Sequence, residues 1–274
     1  MRIVLLNAWG GRLQDRLLSL LPSLGADVLC LEEVVHTPGA PAETLEYRDP
    51  EAGTVLPQRA RMLGELAAAL PDHHASFCPA ARGPLWHGAA SVPSFWGLAT
   101  FVRRAIPVIG QAQDFVHGRY GAEGYGAHPR ARSAHAVRLF DHEMGRAVTV
   151  AHMHGLRDLA GKHDTPERAA QAHRFADLVG GLRRPGEALA ACGDLNVRPG
   201  SETLRILRER LGARELVTEG GHPGTRTSLY ARPERFADYM LVAGAEVRRF
   251  EVLTEPEVSD HAALVLDLGR PGAP

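Results

Sequence analysis

The sequence predicts an α/β (α+β) four-layer sandwich, with two mixed β-sheets packed face to face and helices outside. Three observations lead there. Apolar runs such as Ile3–Leu6 and Ala188–Cys192 fill odd and even positions alike, the mark of strands buried on both faces. Amphipathic helical repeats alternate with these runs and supply outer layers. Hairpin-like strand pairs also occur, so the sheets are mixed rather than purely parallel.

Taken in order, strand Ile3–Leu6 ends at Asn7 and Ala8-Trp9-Gly10-Gly11. Leu13, Leu17, Leu20, Leu21 and Leu24 then recur at helical spacing, and Gly25 ends that helix. Asp27–Glu33 reads as a second buried strand, with Leu29, Leu31 and Glu33 on one face and Val28, Cys30 and Glu32 on the other. An acid at the end of such a strand either emerges into solvent or is held for use. Residues 36–55, rich in Pro, Gly and charge, read as an exposed loop. Arg59–Leu70 carries one apolar helical face and stops at Pro71. Residues 82–97 read as a Gly/Pro loop presenting Trp86 and Trp96, a candidate recognition loop. Leu98–Val102 is a strand followed by Arg103-Arg104. Residues 114–133 read as loop, with Arg130 and Arg132 at the start of the next strand, where guanidinium groups suit a phosphate or a solvated edge.

Ala147–His154 is a strand with Val148, Val150, His152 and His154 on one face. Asp164-Thr165-Pro166-Glu167 opens a helix to about Leu182, capped by Asp164 with Glu167 in a capping box, or by Thr165 with Pro166 first. The stretch Glu187–Gly200, E-A-L-A-A-C-G-D-L-N-V-R-P-G, organises the chain. Its buried strand ends at Gly193 and presents Asp194 and Asn196, two apart and so on one face, before Pro199-Gly200 and a Ser201-capped helix over 202–211. Such strand ends carry chemistry in α/β folds, although Asp194 as a simple turn cap is the plainer alternative. Phe236–Val242 is a strand with Asp238 in its middle, and a buried acid there requires a partner. Glu257-Val258-Ser259-Asp260-His261 precedes the last strand, Ala262–Leu268. The ends at Asn7 and at Asp194-Leu195-Asn196, each near a Gly, give the chain a faint two-halves symmetry.

With 274 residues, the chain suits one large sandwich or two small domains. Lys+Arg number 31 against Asp+Glu 32, so no global basic field favours nonspecific nucleic-acid binding. The three scattered cysteines form neither a disulfide framework nor a zinc spacing. No apolar stretch approaches the ~20 residues of a membrane span and no signal peptide is read, so the expectation is a soluble, cytoplasmic protein. No protein partner is inferable.

In order, Asn7, Glu33, His154, Asp194-x-Asn196, Asp238 and Ser259-Asp260-His261 resemble the endonuclease/exonuclease/phosphatase superfamily, metal-dependent phosphoesterases with a deoxyribonuclease-I-like fold. The resemblance spans Asn7 to His261 and rests most on G-D-L-N and S-D-H. It implies one domain over 1–269 with a short tail, 270–274. It implies Glu33 as principal ligand of a divalent metal, with Asn7 and Asp260 close by. An oxygen-rich set suits Mg2+ or Mn2+. It further implies Asp194 and Asn196 around the attacking water and the phosphate, Asp238 orienting His261, and His154 on the leaving side. The general base, Asp194 or His261, stays open. One departure is His152, where the family usually has Asn; His152 is therefore the alternative catalytic histidine, with His154 preferred because Gly155-Leu156 follows it.

The resulting expectation is metal-assisted attack of water on a phosphodiester or phosphomonoester, a small or exposed one favoured, with a nuclease as the alternative. Arg130, Arg132 and Trp96 are candidate substrate contacts. The loop offers Trp86, His87, Phe95 and Trp96 rather than Lys and Arg, which suits a ring more than a phosphate backbone. Arg103, Arg104, Arg130 and Arg132 lining one groove would favour nucleic acid. A non-catalytic binding module is disfavoured by the intact set, and a zinc hydrolase using His152 and His154 by the surrounding oxygen ligands.

Overall fold

The apolar runs that end in polar residues become central strands. The computed structural model describes residues 1–270; residues 271–274 of the expected tail lie outside the described residues. The strands are β1 (Arg2–Asn7), β2 (Val28–His36), β3 (Thr44–Asp49), β4 (Thr54–Arg59), β5 (His73–His87), β6 (Ala90–Arg103), β7 (Val108–His117), β8 (Arg132–Asp141), β9 (Arg146–Met153), β10 (Ala188–Asp194), β11 (Arg214–Glu215), β12 (Asp238–Ala243), β13 (Glu246–Leu253) and β14 (Ala263–Gly269). The α-helices are α1 (Gln14–Ser23), α2 (Met62–Ala69), α3 (Pro166–Leu182), α4 (Glu202–Leu211) and α5 (Leu216–Glu219).

One sheet runs β13-β14-β1-β2-β6-β5-β3-β4, the other β11-β12-β10-β9-β8-β7. The two-halves pattern is real in the topology. β1 pairs with β2 in parallel and with β14 antiparallel; β10 pairs with β9 in parallel and with β12 antiparallel. Each sheet thus has a parallel pair at its centre, and both pairs end at the same cleft.

Strand alternation divides the apolar side chains between two cores. Ile3, Leu5, Val28 and Cys30 join Val150, Ala190, Cys192 and Met240 between the sheets, in a core that continues to α3 and α4. Val4, Leu6, Leu29 and Leu31 face outward against Leu17 and Leu21 of α1 and Met62 and Leu66 of α2. Helix, sheet, sheet and helix make the four-layer α/β sandwich. α3 is capped by Thr165, whose hydroxyl accepts from Arg168 N–H, with Pro166 at the first position; Asp164 instead accepts from Glu202 N–H at the start of α4.

Several sequence expectations need correction. Residues 36–55 are not a loop: all of β3 and the start of β4 lie there, an edge hairpin with Leu45 and Asp49 turned inward and Thr44 and Glu46 outward. Charge and Pro/Gly content hid that alternation. Residues 82–97 likewise belong to a long β5–β6 hairpin turning near Gly88, with Ala81, Gly83 and Leu85 buried and Arg82 and Pro84 exposed. β7 runs through His117, so the loop between β7 and β8 is 118–131. The helix read over 59–70 begins at Met62, because Arg59 closes β4. Asp238 opens β12 rather than sitting inside a strand, and its register partner is Asp194. The edge strand β13, polar and half exposed, carried no readable apolar run.

Candidate active site

The ends of β1, β2, β9 and β10 converge, and each delivers a polar side chain. β2 does so through an irregularity. Its register with β6 shifts between Leu31 and Val34, and Glu33 takes φ 54°. This turns Glu33 into the cleft while Glu32, the next residue back, stays buried between the sheets. Among the described residues, Trp9 (φ 52°) and Asn196 (φ 54°) are the other non-glycine residues with positive φ, and both line the same cleft. Backbone held in so sparsely populated a region gathers where side-chain aim matters.

β10 ends against β9 at Gly193. A side chain there would collide with the Met153 carbonyl oxygen and approach Glu32, so the close passage of the parallel strands requires glycine. Immediately beyond, Glu32 accepts the Asp194 N–H with both carboxylate oxygens, at 3.1 and 3.0 Å. Burial, followed by Asp194 and Asp238, raises the Glu32 pKa well above the usual carboxylate range.

Asp194 is the hub. Its Oδ1 accepts from Asn196 N–H at 3.0 Å, and its Oδ2 accepts from the Asn7 amide at 3.2 Å. The same Oδ2 lies 3.7 Å from His154 Nε2 and 3.6 Å from His261 Nε2. Burial alone would push its pKa up, but His261, His154, Arg226 and Lys162 outweigh burial and hold it far below the ordinary carboxylate range. Asp238 faces His261 Nδ1 with both oxygens at 2.9 Å. A carboxylate only accepts, so Nδ1 carries the proton and Nε2 is turned to the cleft. Burial and Arg226 depress the His261 pKa, yet Asp238, Asp194 and Asp260 raise it on balance. His154 goes the other way: burial first, then Arg132, His261 and Arg157, hold it well below an ordinary histidine.

Glu33 and Asp260 line the cleft with Asn7 behind them. Glu33 Oε1 is 4.0 Å from His154 Nε2, and burial and Asp260 raise its pKa against the pull of His261. Asp260 Oδ2 accepts from Arg226 at 2.8 Å, whereas its buried Oδ1 has no hydrogen-bond partner. An orphaned carboxylate oxygen beside a second carboxylate and an amide is a hard, oxygen-rich donor set that fits Mg2+ or Mn2+. Asp194, Asp238 and His261 also offer atoms within 4.8 Å of one another. A cation among those three would displace the Asp238–His261 bond, so Glu33 and Asp260 fit better.

His152 does not reach the cleft. It is buried between the sheets, its Nε2 2.8 Å from Thr100 Oγ1, which also meets His135 Nδ1 at 2.7 Å. Burial and His135 lower its pKa to about 3. Strand β9 stops at Met153, so His154 escapes the alternation that buries His152. Arg132 is buried at the cleft edge, donates Nε–H to the Gly155 carbonyl at 2.9 Å, and lies over Trp96 at 5.0 Å. Burial lowers its pKa to about 10. Trp96 in turn leans on His154, ring centroids 5.4 Å apart. Arg130 sits farther out and is paired with Asp49 at 3.1 Å. Arg103 pairs with Asp27 at 2.9 Å, and Arg104 donates to Pro71 O and His74, at the other end of β6; the four arginines do not line one groove.

Arg226, Lys162 and Arg157, which also line the cleft, were not singled out as site residues from the sequence. Arg226 lies over Tyr230 at 4.1 Å, and Lys162 donates to Phe236 O at 2.6 Å. They come from irregular segments without a periodic pattern. Only the hydroxyl-rich T-R-T around Arg226, whose Thr225 accepts from Asp238 N–H, could have marked one of them.

The chain matches the sequence profile described as the Endonuclease/Exonuclease/phosphatase family over residues 4–261. No curated protein matches it in sequence. Among solved structures it is similar to an endonuclease/exonuclease/phosphatase from Beutenbergia cavernae DSM 12333, with TM-score 0.70 and 19% identity, covering 100% of this chain and 72% of that one. It is similar to a Bacteroides thetaiotaomicron VPI-5482 mannosyl-6-phosphatase, with TM-score 0.66 and 12% identity over 98% and 99% of the two chains. The human Nocturnin catalytic domain, solved with a bound sulfate anion, gives TM-score 0.63 and 18% identity over 98% and 94%. At these identities the structural likeness shows the fold.

Proposed function

The chain belongs to the endonuclease/exonuclease/phosphatase family of phosphoester hydrolases, and we propose that it is a divalent-metal-dependent phosphoesterase acting on a small or exposed phosphoester. The observation that carries this reading is Asp194 Oδ2, set between His154 Nε2 at 3.7 Å and His261 Nε2 at 3.6 Å in a cleft that also holds Glu33 and Asp260.

Glu33 and Asp260, with Asn7 behind them, would hold Mg2+ or Mn2+, which when bound supplies positive charge to the phosphoryl oxygens. The remaining chemistry belongs to the chain. Asp194 is ionised at neutral pH and accepts a hydrogen bond from the attacking water, aiming its lone pair at phosphorus. The Asn196 N–H and Asn7 amide fix the carboxylate for that task. As the water oxygen bonds phosphorus and the ester P–O bond breaks, the water proton passes to Asp194, and His261, oriented by Asp238 and favoured in its charged form, gives its Nε2 proton to the departing alcohol oxygen. His154 stays neutral, an uncharged imidazole beside the leaving side. Arg226 and Lys162 add positive field without crowding the reacting atoms.

The preference for a small or exposed ester is supported by Arg130 and Arg103, which are spent on ion pairs with Asp49 and Asp27 and so are not free to follow a duplex backbone. The test is hydrolysis of p-nitrophenyl phosphate, bis-p-nitrophenyl phosphate and plasmid DNA with Mg2+, Mn2+ or chelator. Metal-dependent turnover of a nitrophenyl ester with little plasmid cleavage agrees with the reading. Efficient plasmid cleavage, with KM rising steeply with salt, makes it a nuclease.

A further inference from the structure

Beside the catalytic cleft, and sharing Glu33, Leu56 and Arg157 with it, lies a second, small recess with a cavity volume of about 70 Å³. Its walls mix apolar and aromatic side chains, Leu56, Leu85, Trp96, Tyr47 and Tyr125, with the polar Gln58, His128 and Arg130. Where it joins the cleft it meets two guanidinium groups, Arg132 and Arg157. Arg132 donates only to a backbone carbonyl, and neither arginine has a carboxylate ion-pair partner among the described residues. Glu33 is the anion at this border, and on the reading above its charge is engaged by the cation.

The recess is built, not left over. Asp49, buried, accepts from Tyr47 OH at 2.9 Å and from His128 at 2.8 Å, and pairs with Arg130, which also donates to Tyr47 OH. This fixes the outer wall and leaves Arg130 spent on structure. Tyr125 is seated because Gly83 has no side chain; a Cβ there would lie 2.6 Å from its ring. Loop 118–131 is pinned to β5 by Arg82 N–H to Gly121 O at 2.6 Å and Gly124 N–H to Arg82 O at 2.8 Å. Trp86, by contrast, stands away from the recess under Arg48.

We propose that this recess seats the alcohol portion of the substrate, and that this portion carries a planar ring and a second anionic group. The proposal rests on the phosphoesterase reading: the reacting phosphoryl group sits at Asp194, the second anion at Arg132 and Arg157, and the ring against Trp96, Tyr47 and Tyr125. Aromatic walls favour a flat ring over an open polyol, and unpaired guanidinium groups recognise phosphate or carboxylate.

The experiment compares adenosine 3′,5′-bisphosphate (ring and second anion), adenosine 3′- and 5′-monophosphates (ring only) and glycerol 2-phosphate (neither), with p-nitrophenyl phosphate as a generic ester. Hydrolysis of none of the five, and none of bis-p-nitrophenyl phosphate, overturns the phosphoesterase reading itself. Turnover of the nitrophenyl ester without preference for the bisphosphate overturns only this proposal. The expected kcat/KM order is bisphosphate, then monophosphates, then glycerol 2-phosphate, with about tenfold per step, the worth of one good contact. Arg157→Met is expected to narrow the bisphosphate-to-monophosphate ratio, and Tyr125→Leu the monophosphate-to-glycerol ratio, each by about tenfold, mainly through KM. Quenching of tryptophan fluorescence by adenosine 3′,5′-bisphosphate in chelator gives a second readout; saturable quenching weakened by Arg157→Met supports the site, and ratios and quenching unmoved by both variants contradict it.

Discussion

Both carboxylate oxygens of Asp238, the first residue of β12, lie 2.9 Å from Nδ1 of His261, just before β14. The pair acts as one unit: the acid fixes the tautomer and raises the imidazole pKa. Asp238→Asn is therefore expected to lower kcat by about 10²-fold, and the loss should not add to that of His261→Ala. The sign of the pH effect follows. A charged His261 is lost as pH rises through its raised pKa, so kcat falls on the alkaline side, and removing the Asp238 charge lowers that pKa and moves the fall to lower pH. A kcat–pH profile of the variant with an unmoved alkaline limb argues against the dyad.

Glu33→Gln is nearly isosteric and leaves the bulge of β2 in place. It is expected to lose most of the activity and to weaken Mg2+ or Mn2+ binding, read by calorimetry, with an unchanged circular dichroism spectrum. Wild-type enzyme keeping full activity in excess chelator would contradict a metal role for this residue.

The two histidines of β9 and its end separate cleanly. His154→Ala is expected to reduce kcat by about 10²-fold with a near-normal Tm. His152→Asn acts on the Thr100–His135 contact between the sheets and is expected to shift Tm while keeping most activity. The reverse ranking would place the chemistry at His152.

Gly193→Ala drives a methyl group against the Met153 carbonyl, where backbone rather than a flexible side chain must move. Destabilisation of about 1–3 kcal/mol, seen in urea unfolding, is expected from such overpacking. An unchanged midpoint would mean that β9 and β10 separate without cost.

The central strands and most of the site were legible because both obey local rules. Continuous apolar runs marked β1, β2, β9 and β10, and their polar ends marked Asn7, Glu33, Asp194 and Asn196. What stayed hidden depends on long-range pairing. β3, β4 and the β5–β6 hairpin are one-sided strands whose polar or Gly/Pro-rich outer faces read as loop, so the recess they build had no sequence signal beyond Trp96, Arg130 and Arg132. Arg226 and Lys162 sit on irregular segments and gain meaning only from the carboxylates brought near them. His152 and His154 share a sequence parity, and only the end of β9 at Met153 assigns one to the core and one to the cleft.

The central claim is that Asp194, between two histidines, is the acceptor that aims water at phosphorus. It is tested most directly by kcat for p-nitrophenyl or bis-p-nitrophenyl phosphate with saturating Mg2+, wild type against Asp194→Asn, with urea unfolding to confirm the fold. The account predicts a loss of about 10²-fold or more at similar KM and stability. A folded Asp194→Asn enzyme turning over at the wild-type rate would contradict it.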